Sequence, residues 1–185
     1  SDVIEEYTRP ARIIEDNNII TVPALSQRHL IDVEYHGEME AFLTDGLRSI
    51  METIPSKEMK EFTVRWPGHI DKWISEGMKM EENKLLDEWK FDDERDEFTW
   101  LEVKVQGLDS KIRWMVYDEG KNGDSSMART TGLVTAACTI LFLEKGPMAG
   151  CGLEPGIHPP ESLSNNSIEY IINYLQDNDV EIVQS

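Results

Sequence analysis

The chain is short of cysteine and of positive charge. Its 185 residues hold two cysteines, Cys138 and Cys151, which form no C-x-x-C pair and are too few for a disulfide framework. The expected setting is a reducing cytoplasm. Lysine and arginine number 18 against 36 acidic residues, for a formal net charge of −18. That shortage argues against a nucleic-acid partner, because phosphate binding needs a surplus of basic side chains. It argues against an anionic membrane surface on the same ground. No run approaches 18 apolar residues, so no membrane span is expected. The opening residues, SDVIEEYTRP, are acidic and polar and do not read as a signal peptide.

Common catalytic signatures are missing as well. There is no G-x-x-x-x-G-K-[ST], no G-x-G-x-x-G opening a helix, and no G-x-S-x-G elbow. The glycines of GPMAGCG follow a predicted helix, so they are not a dinucleotide loop. The four histidines, His29, His36, His69 and His158, show no metal-ligand spacing. Neither an internal repeat nor a low-complexity linker interrupts the chain, and residues 1–185 read as a single domain.

What is present builds a core. The chain is 39% hydrophobic and 29% charged, a globular rather than a disordered balance. ARIIE and IITVP flank DNN and predict a β-hairpin. IDVEY predicts a strand, and TDGLRSIMETI a helix capped by Thr44 or Asp45. MKEFTVRW predicts another strand. PGHIDKWISEGMKM predicts a helix with Pro67 at its first position and Ile70, Trp73, Ile74 and Met78 on one face. Residues 81–97 are densely charged, anchored by Leu85, Leu86 and Trp89. FTWLEVKVQG and KIRWMVYDEG alternate apolar and polar residues around LDS, a second hairpin. SMARTTGLVTAACTILFLEKGP is apolar almost all round over 133–143. It predicts a central buried helix stopped by Gly146 and Pro147. A Gly/Pro-rich loop, the amphipathic helix SIEYIINYLQ and the strand VEIVQ close the chain. The fold class is α+β, with a mixed, largely antiparallel sheet and helices packed on it.

Three stretches carry candidate chemistry. In FTVRWPGH, Thr63 and Arg65 point to one face of the strand, and Val64 and Trp66 to the other. An arginine on an inward face requires either an internal carboxylate or a ligand. In EAFLTDGLRS, Asp45 and Arg48 lie three apart at the predicted helix start, as a local ion pair with an N-cap or as part of a site. In SMARTTG, Arg129 and two threonines sit at the first turn of an apolar helix. That terminus can receive an anion, or its hydroxyls can simply bond back to the previous turn. Cys138, inside the same helix, reads as a small core residue.

EAFLTDGLRS, FTVRWPGH, YDEG…SSMARTTG and HPPESL occur here in the order seen in the C-terminal domain of the saccharopine dehydrogenase family, and the resemblance spans nearly the whole chain. The family pattern resembles T-L-R-Y-P-G-H at the second stretch, where this chain has Val64 for leucine and Trp66 for tyrosine. The resemblance implies a substrate-binding and dimerisation domain of an NAD(P)-dependent dehydrogenase acting on a C–N bond of lysine, saccharopine or a related compound. It implies that NAD(P) is bound mainly by an N-terminal Rossmann domain absent from this chain, which would then be a fragment inactive alone. Thr63, Val64 and Arg65 inherit substrate contact by position, with Arg65 as a carboxylate clamp. Arg48 and Asp45 correspond to a second segment near the substrate, and Arg129 is a further candidate. No catalytic acid or base and no metal ligand follow from the resemblance. The implied partners are a small amino-acid substrate and a second copy of the chain. The alternative is a non-catalytic dimerising or amino-acid-binding module.

Overall fold

A computed structural model of the chain describes residues 2–90, 92, 95–149, 153–154 and 156–185. The chain divides into two compact units, 1–91 and 92–185, with the division inside the charged stretch. All strand pairings among the described residues are antiparallel, in three small sheets with six α-helices, an α+β fold.

The first unit begins with α1 (Asp2–Thr8) and a hairpin of β1 (Ala11–Glu15) and β2 (Asn18–Val22). Asp16 and Asn17 hold positive φ at its tip, as a tight two-residue hairpin turn requires. A three-stranded sheet follows, ordered β3 (His29–Val33), β4 (Gly37–Leu43) and β5 (Phe62–Arg65). The remaining helices are α2 (Ile50–Thr53), α3 (His69–Ser75) and α4 (Glu82–Glu88), with a 3-10 turn at Gly77–Lys79. Side chains of β4 alternate between two cores. Phe42 packs with Tyr7, Ile70, Trp73 and Leu85 from the helices. Leu43 packs with Ala11 and Ile13 of the hairpin. The strand is therefore covered on both faces and buried from Met39 onward.

The second unit is built on β6 (Phe98–Gln106), β7 (Lys111–Glu119) and β8 (Glu181–Gln184), in that order. Its helices are α5 (Ser126–Ala149) and α6 (Asn165–Asp177). Ser164 caps α6 by accepting from Ser167 N–H, which places the start of this amphipathic helix where the serines predict it.

Both predicted hairpins, α6 and β8 form close to the expected positions. Several other elements differ. The helix expected over 44–54 shrinks to α2. Thr44 and Asp45 spend their side chains on distant partners, Glu61, Thr63 and Arg12, and Arg48 takes φ +52, so no helix can start there. Asp45 and Arg48 therefore do not share a helical face. The central strand β4 has no counterpart in the sequence-based elements. Pro67 lies outside α3, because Gly68 at φ +86 turns the chain and His69 begins the helix. Ile70 and Trp73 are buried as expected, whereas Ile74 and Met78 are exposed.

The largest correction concerns α5. It is not a central buried helix: only Ser126, Ala137 and Leu141 are buried in its described part. A helix apolar on all sides needs cover on all sides. The second unit offers it α6 and one end of a sheet. The helix also continues past Gly146 and Pro147 to Ala149, where the proline removes a single rung close to the end. By length and composition alone, Ser126–Leu143 is apolar enough to cross a membrane, which the absence of a long apolar run did not suggest. Cys138 is half-buried, and Cys151 lies outside the described residues.

Candidate functional site

Arg65 ends β5 opposite Glu40 of β4, on the sheet face that receives α1 and α3. Its guanidinium donates to the Val64 carbonyl at 2.9 Å and forms an ion pair with Glu6 of α1. Beneath it lies the Tyr7 ring, its centroid 6.0 Å from the Arg65 Cζ. The internal carboxylate demanded by an inward arginine is thus supplied from 59 residues away. Both partners stay partly accessible, Arg65 at 24% and Glu6 at 35% of the side chain.

An aromatic group surrounds this pair. Tyr7 is 2% exposed, and its hydroxyl meets His69 Nδ1 at 2.6 Å. Trp89 packs on His69 with ring centroids 4.7 Å apart, and Trp73 lies 5.7 Å from Tyr7. Burial pushes the Tyr7 phenol up to about 12, against the opposing pull of Arg65. Burial, then the charges of Arg65 and Lys72, lowers the His69 imidazole below its ordinary value. Tyrosine and histidine are therefore both neutral near pH 7. Alongside, Glu40 is 8% exposed and accepts from Arg28 at 2.7 Å, and Arg28 also reaches Asp71 at 2.7 Å.

The other sequence candidates lie elsewhere. Thr63 Oγ1 is 2.8 Å from Thr44 Oγ1, on the same face as Arg65 but bonded within the fold. Val64 pairs with Ala41 on the opposite face. Asp45 is buried and accepts from the Arg12 backbone and guanidinium, at 3.2 and 2.8 Å, with Arg9 3.3 Å away. Arg12 hydrogen bonds first of all hold its carboxyl below the usual range. Arg48 is exposed on the loop before α2. Arg129 belongs to the second unit, where it donates to both oxygens of Asp118 and to the Asn178 carbonyl at 2.8 Å. The hydroxyls of Thr130 and Thr131 bond back to the previous turn, and Glu97 accepts from the Ser126 N–H. The start of α5 thus already holds a carboxylate of its own chain.

Sequence reasoning missed Tyr7, Glu6, Arg28, Glu40 and the role of His69. His69 and Glu40 lay at the ends of FTVRWPGH and EAFLTDGLRS; α1 brings Glu6 and Tyr7, and the segment before β3 brings Arg28, by tertiary packing alone. The arrangement can bind a carboxylate: a partly accessible arginine fork lies beside a neutral imidazole in an aromatic wall. Among the described residues no cluster of histidine, cysteine, aspartate or glutamate is placed to hold a metal ion.

No curated protein matches the sequence. The saccharopine dehydrogenase C-terminal domain model matches residues 1–180, nearly the whole chain and including the strand, turn and helix that carry Arg65 and His69, and the protein therefore belongs to that family.

Proposed function

We propose that the chain is the substrate-binding and dimerisation domain of an NAD(P)-dependent amino-acid dehydrogenase, cytoplasmic, acting on a C–N bond of lysine, saccharopine or a related compound. The family supports a dehydrogenase-related domain with a saccharopine or lysine theme. The observation that carries the finer reading is Arg65: a guanidinium on the inner sheet face, accessible at 24%, paired with a carboxylate that a ligand carboxylate can replace. NAD(P), when bound, would supply a hydride acceptor for the carbon attached to nitrogen, and the nitrogen would release a proton to solvent, leaving an imine. Arg65 holds the carboxylate through that step, and the aromatic wall limits access of water. NAD(P) would be held mainly outside this chain.

Calorimetric titration with saccharopine, lysine and carboxynorspermidine tests the reading. One of them is expected to bind with a Kd of about 1 mM or tighter. Heat changes no larger than dilution for all three would overturn it.

A second copy is the proposed partner. Among the described side chains of α5, the outward face with Thr131, Gly132, Thr135 and Thr139 carries no charge, and Leu101, Val103 and Val105 of β6 are each about half exposed. In a chain of net charge −18, uncharged surfaces are where another equally acidic copy approaches with least repulsion. Light scattering at micromolar concentration should give twice the chain mass, and Thr135→Glu should reduce it to one. A wild-type monomer, or recovery only in detergent, would count against the dimer.

A further inference from the structure

We infer that the His69 imidazole is a second hydrogen-bond donor to the ligand carboxylate held by Arg65, with its proton fixed on Nε2 by the Tyr7 hydroxyl. The inference rests on the reading of Arg65 as a carboxylate clamp.

The direction of the hydrogen bonds follows from what each group can do. Tyr7 is 2% exposed, and among the described residues its hydroxyl has one acceptor within reach, His69 Nδ1 at 2.6 Å, so the phenol donates there. Burial keeps that phenol protonated, at about 12. Burial and the charges of Arg65 and Lys72 keep the imidazole neutral. A neutral imidazole that accepts at Nδ1 carries its proton on Nε2. The bond between Tyr7 and His69 therefore runs one way, from the phenol to Nδ1.

The end of this relay is the His69 Nε2–H. It has no hydrogen-bond partner among the described residues, and the ring is half-buried rather than solvated. The plane of the ring is held by Trp89 at 4.7 Å and Tyr7 at 5.8 Å. A donor so fixed and left open suits an acceptor from outside the fold. A carboxylate has two oxygens, one for the guanidinium and one for the imidazole. A ligand without an acceptor would leave the imidazole donor desolvated and unpaired. Tyr7, which acts on the ligand only through His69 in this scheme, is a positioning residue.

The test combines titration with saccharopine and with lysine and long-range nitrogen–proton NMR of the histidine rings, on folded protein checked by circular dichroism. Wild type should show the Nε2–H tautomer at His69, and Tyr7→Phe a mixture. His69→Leu should weaken binding about tenfold or more, whereas His69→Gln, which keeps a donor at similar reach, should stay near wild type. If Arg65→Ala loses binding while a folded His69→Leu binds as wild type does, the clamp stands and the inference is overturned. A proton found on Nδ1 in wild type also overturns it. If wild type binds neither compound, the clamp reading falls and takes the inference with it.

Discussion

Arg65→Ala is expected to raise KM for the amino-acid substrate at least tenfold, about 1.4 kcal/mol or more of lost binding, with kcat less affected. The size follows from replacing a two-pronged charged contact with nothing. The fold should tolerate the change, because the Glu6 side chain is 35% exposed and can turn to water. Thermal unfolding near that of wild type would separate lost binding from lost structure. Arg65→Lys keeps the charge but not the planar fork, and should recover only part of the loss. Glu6→Gln removes the carboxylate that competes with the substrate and should lower KM. An unchanged KM in Arg65→Ala would leave Arg65 as an internal ion pair and no more.

The second large effect is on stability. Asp118→Ala should destabilise the protein by about 3–5 kcal/mol, read from urea unfolding. The Asp118 side chain is fully buried, and its partner Arg129 is 14% exposed. Arg129 joins three elements: it sits in the first turn of α5, binds both carboxylate oxygens from β7, and donates to the carbonyl of Asn178 after α6. Removing the carboxylate leaves a largely buried guanidinium with the Asn178 carbonyl but without its counter-charge. Asp118→Asn keeps the shape and one acceptor and should cost less. A loss below about 1 kcal/mol for Asp118→Ala would mean that the pair behaves as a solvated surface bridge.

Much of the secondary structure and the family were legible in the sequence. Asp16 and Asn17 encode the first hairpin tip, and Ser164 encodes the start of α6. The alternation in FTWLEVKVQG and KIRWMVYDEG encodes the long hairpin, whose register pairs Leu101 with Val116 and Val103 with Trp114. Turn chemistry, capping and period act between residues a few positions apart, so the sequence carries them directly. Arg65 was legible as an inward arginine in need of an acid.

The identity of that acid was not. Glu6 lies 59 residues from Arg65, Tyr7 lies 62 from His69, and Arg12 lies 33 from Asp45. Which groups meet depends on how α1 and the first hairpin pack on the rest of the unit, and no local pattern encodes that. The same holds for burial. The apolar pattern of α5 states how much surface wants cover, but the elements available to it decide how much is covered. The sequence by itself determined the hairpins, the last helix, the α+β class and the family. Tertiary structure decided which groups surround Arg65, that Arg129 is held by Asp118, and that the most apolar helix faces outward, because each depends on contacts between segments far apart in the chain.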